Sequence, residues 1–176
     1  MNIPEQYSEI SSAFVQAAEL ARVFIPLSEI DVEFHAAEHK PPSRLPTGKL
    51  AVYVFMFGDR CLKVGKAGPK SAARFCSQHY GAKRAPSTLA KSLLKSQSFI
   101  GVNGLVEARV GEWICKNTDR VNFLIPAKYG VFALSLLEAF VQCRLQPEFE
   151  GFASQHPKLN IAVERDVMHF GNGNEG

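Results

Sequence analysis

Apolar residues recur at helical spacing in some stretches of this chain and run almost continuously in others, and these changes of pattern mark its elements. Over 7–24 the period is helical: Ile10, Phe14, Ala17, Ala21 and Phe24 fall on one face, with Glu9, Ser12, Gln16, Glu19 and Arg22 elsewhere. Pro26 closes that helix. Residues 49–57 are almost continuously apolar, the pattern of a strand buried on both faces. Gly58-Asp59 supplies a turn, and 61–65 forms a second strand. Ala67-Gly68-Pro69 breaks it, and a helix carrying Arg74 follows, with Gly81 as its stop. Further helices are expected at 88–95, at 105–117 despite Gly111, and at 129–146, the longest apolar one, which Pro147 ends. Residues 120–126 read as a strand, 156–163 as a turn leading into a last short strand, and 171–176 as a disordered tail. The fold class is α+β.

Parity decides what the first hairpin can do. A two-residue loop at 58–59 would put Tyr53 and Lys63 on opposite faces. A three-residue loop or a bulge would put them on one face. A joint function for the two side chains therefore predicts an odd loop or a bulge.

Charge is unevenly spread. The formal net charge is +3, yet residues 49–95 hold ten basic side chains against Asp59 alone. They are Lys49, Arg60, Lys63, Lys66, Lys70, Arg74, Lys83, Arg84, Lys91 and Lys95. Residues 1–48 hold three basic and seven acidic, and 96–176 seven basic and nine acidic. Such a block points to a polyanion, with a merely solvated basic face as the plain alternative. At 176 residues and 46% hydrophobic content, the chain has enough apolar mass for one domain, or for one domain with an extension. Its four cysteines form no Cys-x-x-Cys pair and read as reduced, partly buried thiols. No run of about eighteen apolar residues is present, and Met1-Asn-Ile-Pro-Glu-Gln lacks the regions of a signal peptide. A cytoplasmic location with no membrane contact is expected.

Two further groups bear on chemistry. His35-Ala-Ala-Glu38-His39 matches the inverted zinc-peptidase pattern. On a helix, His35 and His39 would share a face and hold zinc, with Glu38 as base. Pro41 leaves little helix to hold them, and no third ligand stands out. The other reading is a polar loop or short helix before a proline-rich linker. Glu138 lies within the apolar 129–146 helix, where a carboxylate needs a cation or metal to offset its desolvation. Ser135, Glu138 and Gln142 at helical spacing also fit a narrow solvent stripe.

Taken together, these residues resemble the GIY-YIG nuclease family over about 49–163. Val52-Tyr53 resembles the end of the family's first strand motif, with Ala51 in place of its glycine. Lys63-Val64-Gly65-Lys66 resembles the second motif, with Lys63 where a tyrosine is usual, as in a restriction-enzyme branch. Arg74 takes the place of the family arginine, Glu138 that of its metal-binding glutamate, and Leu159-Asn160 that of its asparagine-bearing segment. The family histidine falls one helical turn after the arginine, which here is Gln78, with His79 one step further round.

The resemblance implies a small mixed or antiparallel sheet of about three strands flanked by helices. Residues 1–48 would be an N-terminal helical extension and linker, and 164–176 a tail. It implies DNA as substrate (RNA carries the same charge) and one Mg²⁺ or Mn²⁺ held by Glu138. Arg74 would fork onto the phosphate. Tyr53, with an ordinary pKa of about 10, would need a neighbouring cation such as Lys63 to act as base. Gly65, Lys66, His79 and Asn160 would support the site, and Lys66, Lys70, Lys83, Arg84, Lys91 and Lys95 would bind nucleic acid. A dimer would allow both strands to be cut. A non-cleaving nucleic-acid-binding module on the same scaffold is the alternative.

Overall fold

A computed structural model of the chain describes residues 4–83, 85, 88–98 and 101–149. Asn160, Arg84, the last expected strand and the tail lie outside the described residues. Among the described residues, four antiparallel strands form one sheet in the order β1-β4-β2-β3: β1 (Asp31–His35), β2 (Lys49–Phe57), β3 (Arg60–Ala67) and β4 (Asp119–Pro126). Among the described residues, five α-helices accompany it: α1 (Glu5–Leu20), α2 (Ala72–Cys76), α3 (Leu89–Lys95), α4 (Glu107–Asn117) and α5 (Gly130–Leu145).

The sheet is one strand wider than expected. Residues 31–35, expected within a helical extension, form β1, because Val32 and Phe34 alternate with Asp31, Glu33 and His35. The strand pairs along its whole length with β4. Residues 5–35 are thus built into the sheet and its core.

Alternation along the strands divides the apolar side chains into two layers. Val52, Val54, Val64, Val121, Phe123 and Ile125 face α1 and α5, where they meet Ile10, Phe14, Leu134 and Leu137. Ala51, Tyr53, Phe55, Leu62, Ala67 and Leu124 face the other way, toward Phe75 of α2, Leu89 and Leu93 of α3, and Val110 and Ile114 of α4. Gly111 lets that second layer close: a Cβ there would lie 2.5 Å from the Tyr80 carbonyl oxygen. No helix among the described residues is long and apolar enough to cross a membrane.

The hairpin joining β2 and β3 settles the parity question. Its turn has two residues, with Phe57 opposite Arg60 and Met56 opposite Cys61. The register then shifts, so that Phe55 faces Lys63 and Tyr53 faces Gly65. Leu62 is the extra residue of a bulge, which returns Lys63 to the face of Tyr53.

Candidate active site

Two cross-strand rows run across the face covered by α2, α3 and α4. One is Glu33, Asn122, Tyr53 and Gly65; the next is His35, Arg120, Phe55 and Lys63. The Tyr53 ring lies flat across the neighbouring strand. A Cβ on Gly65 would come within 2.5 Å of Tyr53 Oη and 2.7 Å of its Cζ. Gly65 is therefore required by the tyrosine itself. Because β3 is the outer strand, this placement carries the hydroxyl toward the edge of the sheet.

That hydroxyl meets His79 at 2.7 Å. The helix holding Arg74 is shorter than the sequence suggests. It stops at Cys76, and Gln78–Tyr80 form a 3₁₀ turn that rotates His79 inward while Gln78 stays half-buried. The tautomer of His79 follows from its other partner. Leu89 N–H donates to Nδ1 at 3.2 Å, so Nδ1 carries no proton. In a neutral ring the proton is then on Nε2, which donates to Tyr53 Oη. Burial, and after it the positive charges of Lys63, Arg120 and Arg74, push the His79 pKa down to about 3. The ring stays neutral, as its hydrogen bonds require.

Lys63 shares the face of Tyr53, and its Nζ donates to the Phe149 carbonyl at 3.2 Å. Arg74 projects from α2 as an exposed side chain whose charge reaches His79. Tyr53 is 1% exposed and Lys63 5%, so both lie beneath the surface.

A second buried cation sits behind the tyrosine. The Arg120 guanidinium packs against the rings of Phe75, Phe55 and Tyr53 at 4.7, 5.3 and 5.6 Å. It donates to Asn122 Oδ1 at 2.9 Å, Tyr80 Oη at 3.1 Å and the Phe75 carbonyl at 2.7 Å. Asn122 in turn donates to Glu33 Oε2 at 2.9 Å. The amide thus links a buried positive charge to a carboxylate at the surface, which lowers the cost of burying it. Arg120 and Asn122 were not singled out from sequence. Their signal was present: two polar residues two apart in an apolar strand must share a buried face.

Glu138 lies on the opposite face. Lys66 pairs with Val52 across the hairpin, and both side chains point toward the α5 layer. There Lys66 Nζ lies 2.7 Å from Glu138 Oε2 and 3.0 Å from Ser135 Oγ. The structure therefore brings Tyr53, Lys63, Gly65 and His79 together on one side, and Lys66 with Glu138 on the other. Ser135, Glu138 and Gln142 form the half-exposed stripe that the helical spacing suggests, and a lysine supplies the carboxylate with a cation. Among the described residues, no group of three His, Cys, Asp or Glu side chains could hold a metal ion. At Glu138 the carboxylate and the Ser135 hydroxyl both lie on the Lys66 ammonium.

The zinc-peptidase geometry does not form. His35 ends β1, and Glu38 turns the chain with φ +71°, so 35–39 is not helical. His39 Nδ1–H donates to the Thr118 carbonyl, and Nε2 accepts from Tyr80 O–H, both at 2.9 Å. Both ring nitrogens are engaged in packing the 36–40 loop onto the core.

The expected nucleic-acid-binding side chains line the α2–α3 region. Lys70, Lys83 and Lys95 are exposed and Lys91 is half-buried. Lys83 also approaches Glu107 at 3.2 Å.

Comparison of the chain with protein-family models, with curated proteins and with solved structures found no match in any of the three. The likeness to GIY-YIG nucleases rests on the short motifs alone.

Proposed function

We propose that this chain is an endonuclease acting on DNA, with its reaction centre at the outer edge of β3 over Gly65. The observation that carries this reading is the directed hydrogen bond from His79 to Tyr53 Oη. A phenol oxygen that receives a donor, on a face shared with Lys63 and near Arg74, is placed to bear negative charge and take a proton from water. Lys63 and Arg74 would then bind the phosphate, Arg74 through its fork of donors. The edge of β3 is also where the two faces of the sheet come within one residue of each other. Lys66 follows Gly65 directly and points to the far side, where it meets Glu138. Mg²⁺ or Mn²⁺ at Glu138 is the expectation that the family resemblance brings, and Lys66 would have to leave the carboxylate first.

The test is incubation of supercoiled and branched DNA with the chain and Mg²⁺ or Mn²⁺. Nicking that is lost in Tyr53→Phe supports the reading, and nicking unchanged in that variant sinks it. Loss in Glu138→Ala with binding retained would support the metal assignment.

A second reading is a nucleic-acid-binding module that does not cut. It is favoured by the burial of Tyr53 and Lys63 and by the occupied Glu138 carboxylate. Binding through the α2–α3 lysines without nicking under either metal would select it.

A further inference from the structure

A cavity of about 410 Å³ opens beside α4, within the ~300–1,000 Å³ range of ligand pockets. Val102, Leu105 and Val106 form an apolar wall, and Trp113 borders it together with Arg109, Glu112 and Lys116. The wall is fixed by Gln97, just beyond α3. Its Nε2 donates to the Leu105 carbonyl at 2.7 Å, and its Oε1 accepts from Leu105 N–H at 2.9 Å. Trp113 is half-buried, with its ring packed on Phe57 at 5.3 Å between centroids. Along α4, Arg109 stands four residues before Trp113 and Lys116 three after it, so the aromatic lies between two exposed cations on one face. Lys116 Nζ lies 2.8 Å from Glu112 Oε1, an exposed pair of small net worth. Arg109 adds a second cation against that one carboxylate.

We propose that this cavity takes one unpaired nucleobase of a single-stranded segment, stacked on Trp113, with Arg109 and Lys116 on the phosphates to either side. The inference rests on the nucleic-acid reading of the chain but not on cleavage, since it uses neither Tyr53 nor Lys63. Every base has a π face, and an aromatic ring in a basic groove takes it without reading sequence. Charge selects the occupant. A purely apolar ligand would leave the two cations at the rim unused, and a duplex, whose bases are stacked on one another, offers no face to the indole. Lys95 ends α3 two residues before Gln97, so the basic surface of α2 and α3 runs up to the cavity. Phe57, on which Trp113 rests, is four residues along β2 from Tyr53, or about 13 Å at the rise of a strand. The stacked base would thus lie a few nucleotides from the proposed reaction centre, on the same face of the sheet.

Trp113 is the one tryptophan of the sequence, so intrinsic emission reports this site alone. The full chain is titrated in EDTA with an oligothymidylate of about twenty nucleotides, longer than the usual site of one binding fold, and with its blunt duplex with oligodeoxyadenylate. Anisotropy of the labelled strands gives affinities for wild type, Trp113→Leu and Arg109→Ala, after circular dichroism shows that the variants are folded. The single strand should quench the tryptophan, and the duplex should leave it nearly unchanged. Trp113→Leu should weaken single-strand binding about tenfold while duplex binding holds. Arg109→Ala, at an exposed position, should lower the slope of log affinity against log salt by about 0.7 for the single strand. Should Trp113→Leu not fold, the emission titration and Arg109→Ala decide. Emission unmoved by the single strand, equal quenching by the duplex, an unaltered single-strand affinity in folded Trp113→Leu or an unaltered salt slope in Arg109→Ala overturns the site, whether or not the protein nicks DNA. Quenching by the single strand with no nicking by any form upholds the site and removes the nuclease reading. Quenching by the single strand with nicking that is lost in Tyr53→Phe upholds both.

Discussion

His79 makes the fold acid-sensitive, and the size of the effect follows from its surroundings. Its side chain is 2% exposed, and its two nitrogens serve as an acceptor for Leu89 N–H and a donor to Tyr53. Protonation would remove the acceptor and place a charge beside Lys63, Arg120 and Arg74. The folded pKa is therefore held at about 3, while an unfolded histidine titrates near 6.5. The unfolded state binds a proton that the folded state refuses. The stabilisation is fully present above pH ~6.5 and is lost as pH falls toward ~3, by about 1.4 kcal/mol per pH unit. By pH ~4.5 the loss assigned to His79 is about 3 kcal/mol, a large share of the ~5–15 kcal/mol typical of a domain. The perturbation that isolates it is His79→Gln, whose amide offers an acceptor and a donor but no titration. Urea unfolding followed by circular dichroism at a series of pH values gives both stability curves. Every other titrating group, His39 included, is common to the two proteins and cancels in their difference. Wild type should lose about 1–2 M in urea midpoint relative to the variant between pH ~6.5 and ~4.5. Parallel curves would refute the argument, because they would mean that His79 is charged in the fold and cannot accept from Leu89.

Three further outcomes are expected. Gly65→Ala should cost about 1–3 kcal/mol in urea unfolding, since its Cβ would overlap Tyr53 Oη, and Tyr53→Ala in the same chain should relieve most of that overlap. Tyr53→Phe leaves the His79 Nε2 proton buried without this acceptor and should cost about 1–3 kcal/mol by the same measurement, apart from any loss of nicking. A double-mutant cycle on Lys66→Met and Glu138→Gln should give a coupling of about 1 kcal/mol that shrinks with added salt, because the pair is partly exposed; a salt-independent coupling would contradict a screened ion pair.

The parts of the fold legible in the sequence were those with strong periodicity and clear punctuation. Tyr53's strand, the hairpin and the apolar α5 ended before Pro147 appear near their expected bounds, whereas α1 stops at Leu20, short of the expected 7–24, because Arg22 turns the chain at φ +61°, leaving Ala21 and Phe24 exposed. The bulge was legible as a condition, although not at Leu62. β1 was missed although Val32 and Phe34 alternate in it, since five residues are a short sample and its other face carries Glu33 and His35. The helix after Arg74 was overextended: nothing local marks Ser77 as its end, and the 3₁₀ turn is fixed by His79 fitting between Tyr53 and Leu89. Glu138 illustrates the limit of pattern. A lone acid in an apolar helix calls for a cation, but only the cross-strand register shows that Lys66 points to the same face and Lys63 to the other.

The bulge at Leu62 also sets a rule for how this hairpin tolerates changes in length. Adding one residue to the turn at 58–59 while deleting Leu62 would keep Tyr53 opposite Gly65, because both devices correct parity in the same way. Either change alone would slip one strand by a residue, carrying Lys63 out of the layer of Tyr53 and setting a side chain other than hydrogen beneath the ring. What the hairpin holds constant is the number of residues between Tyr53 and Gly65. Where the odd residue is housed, at the tip or along the strand, is a matter of indifference to the tyrosine.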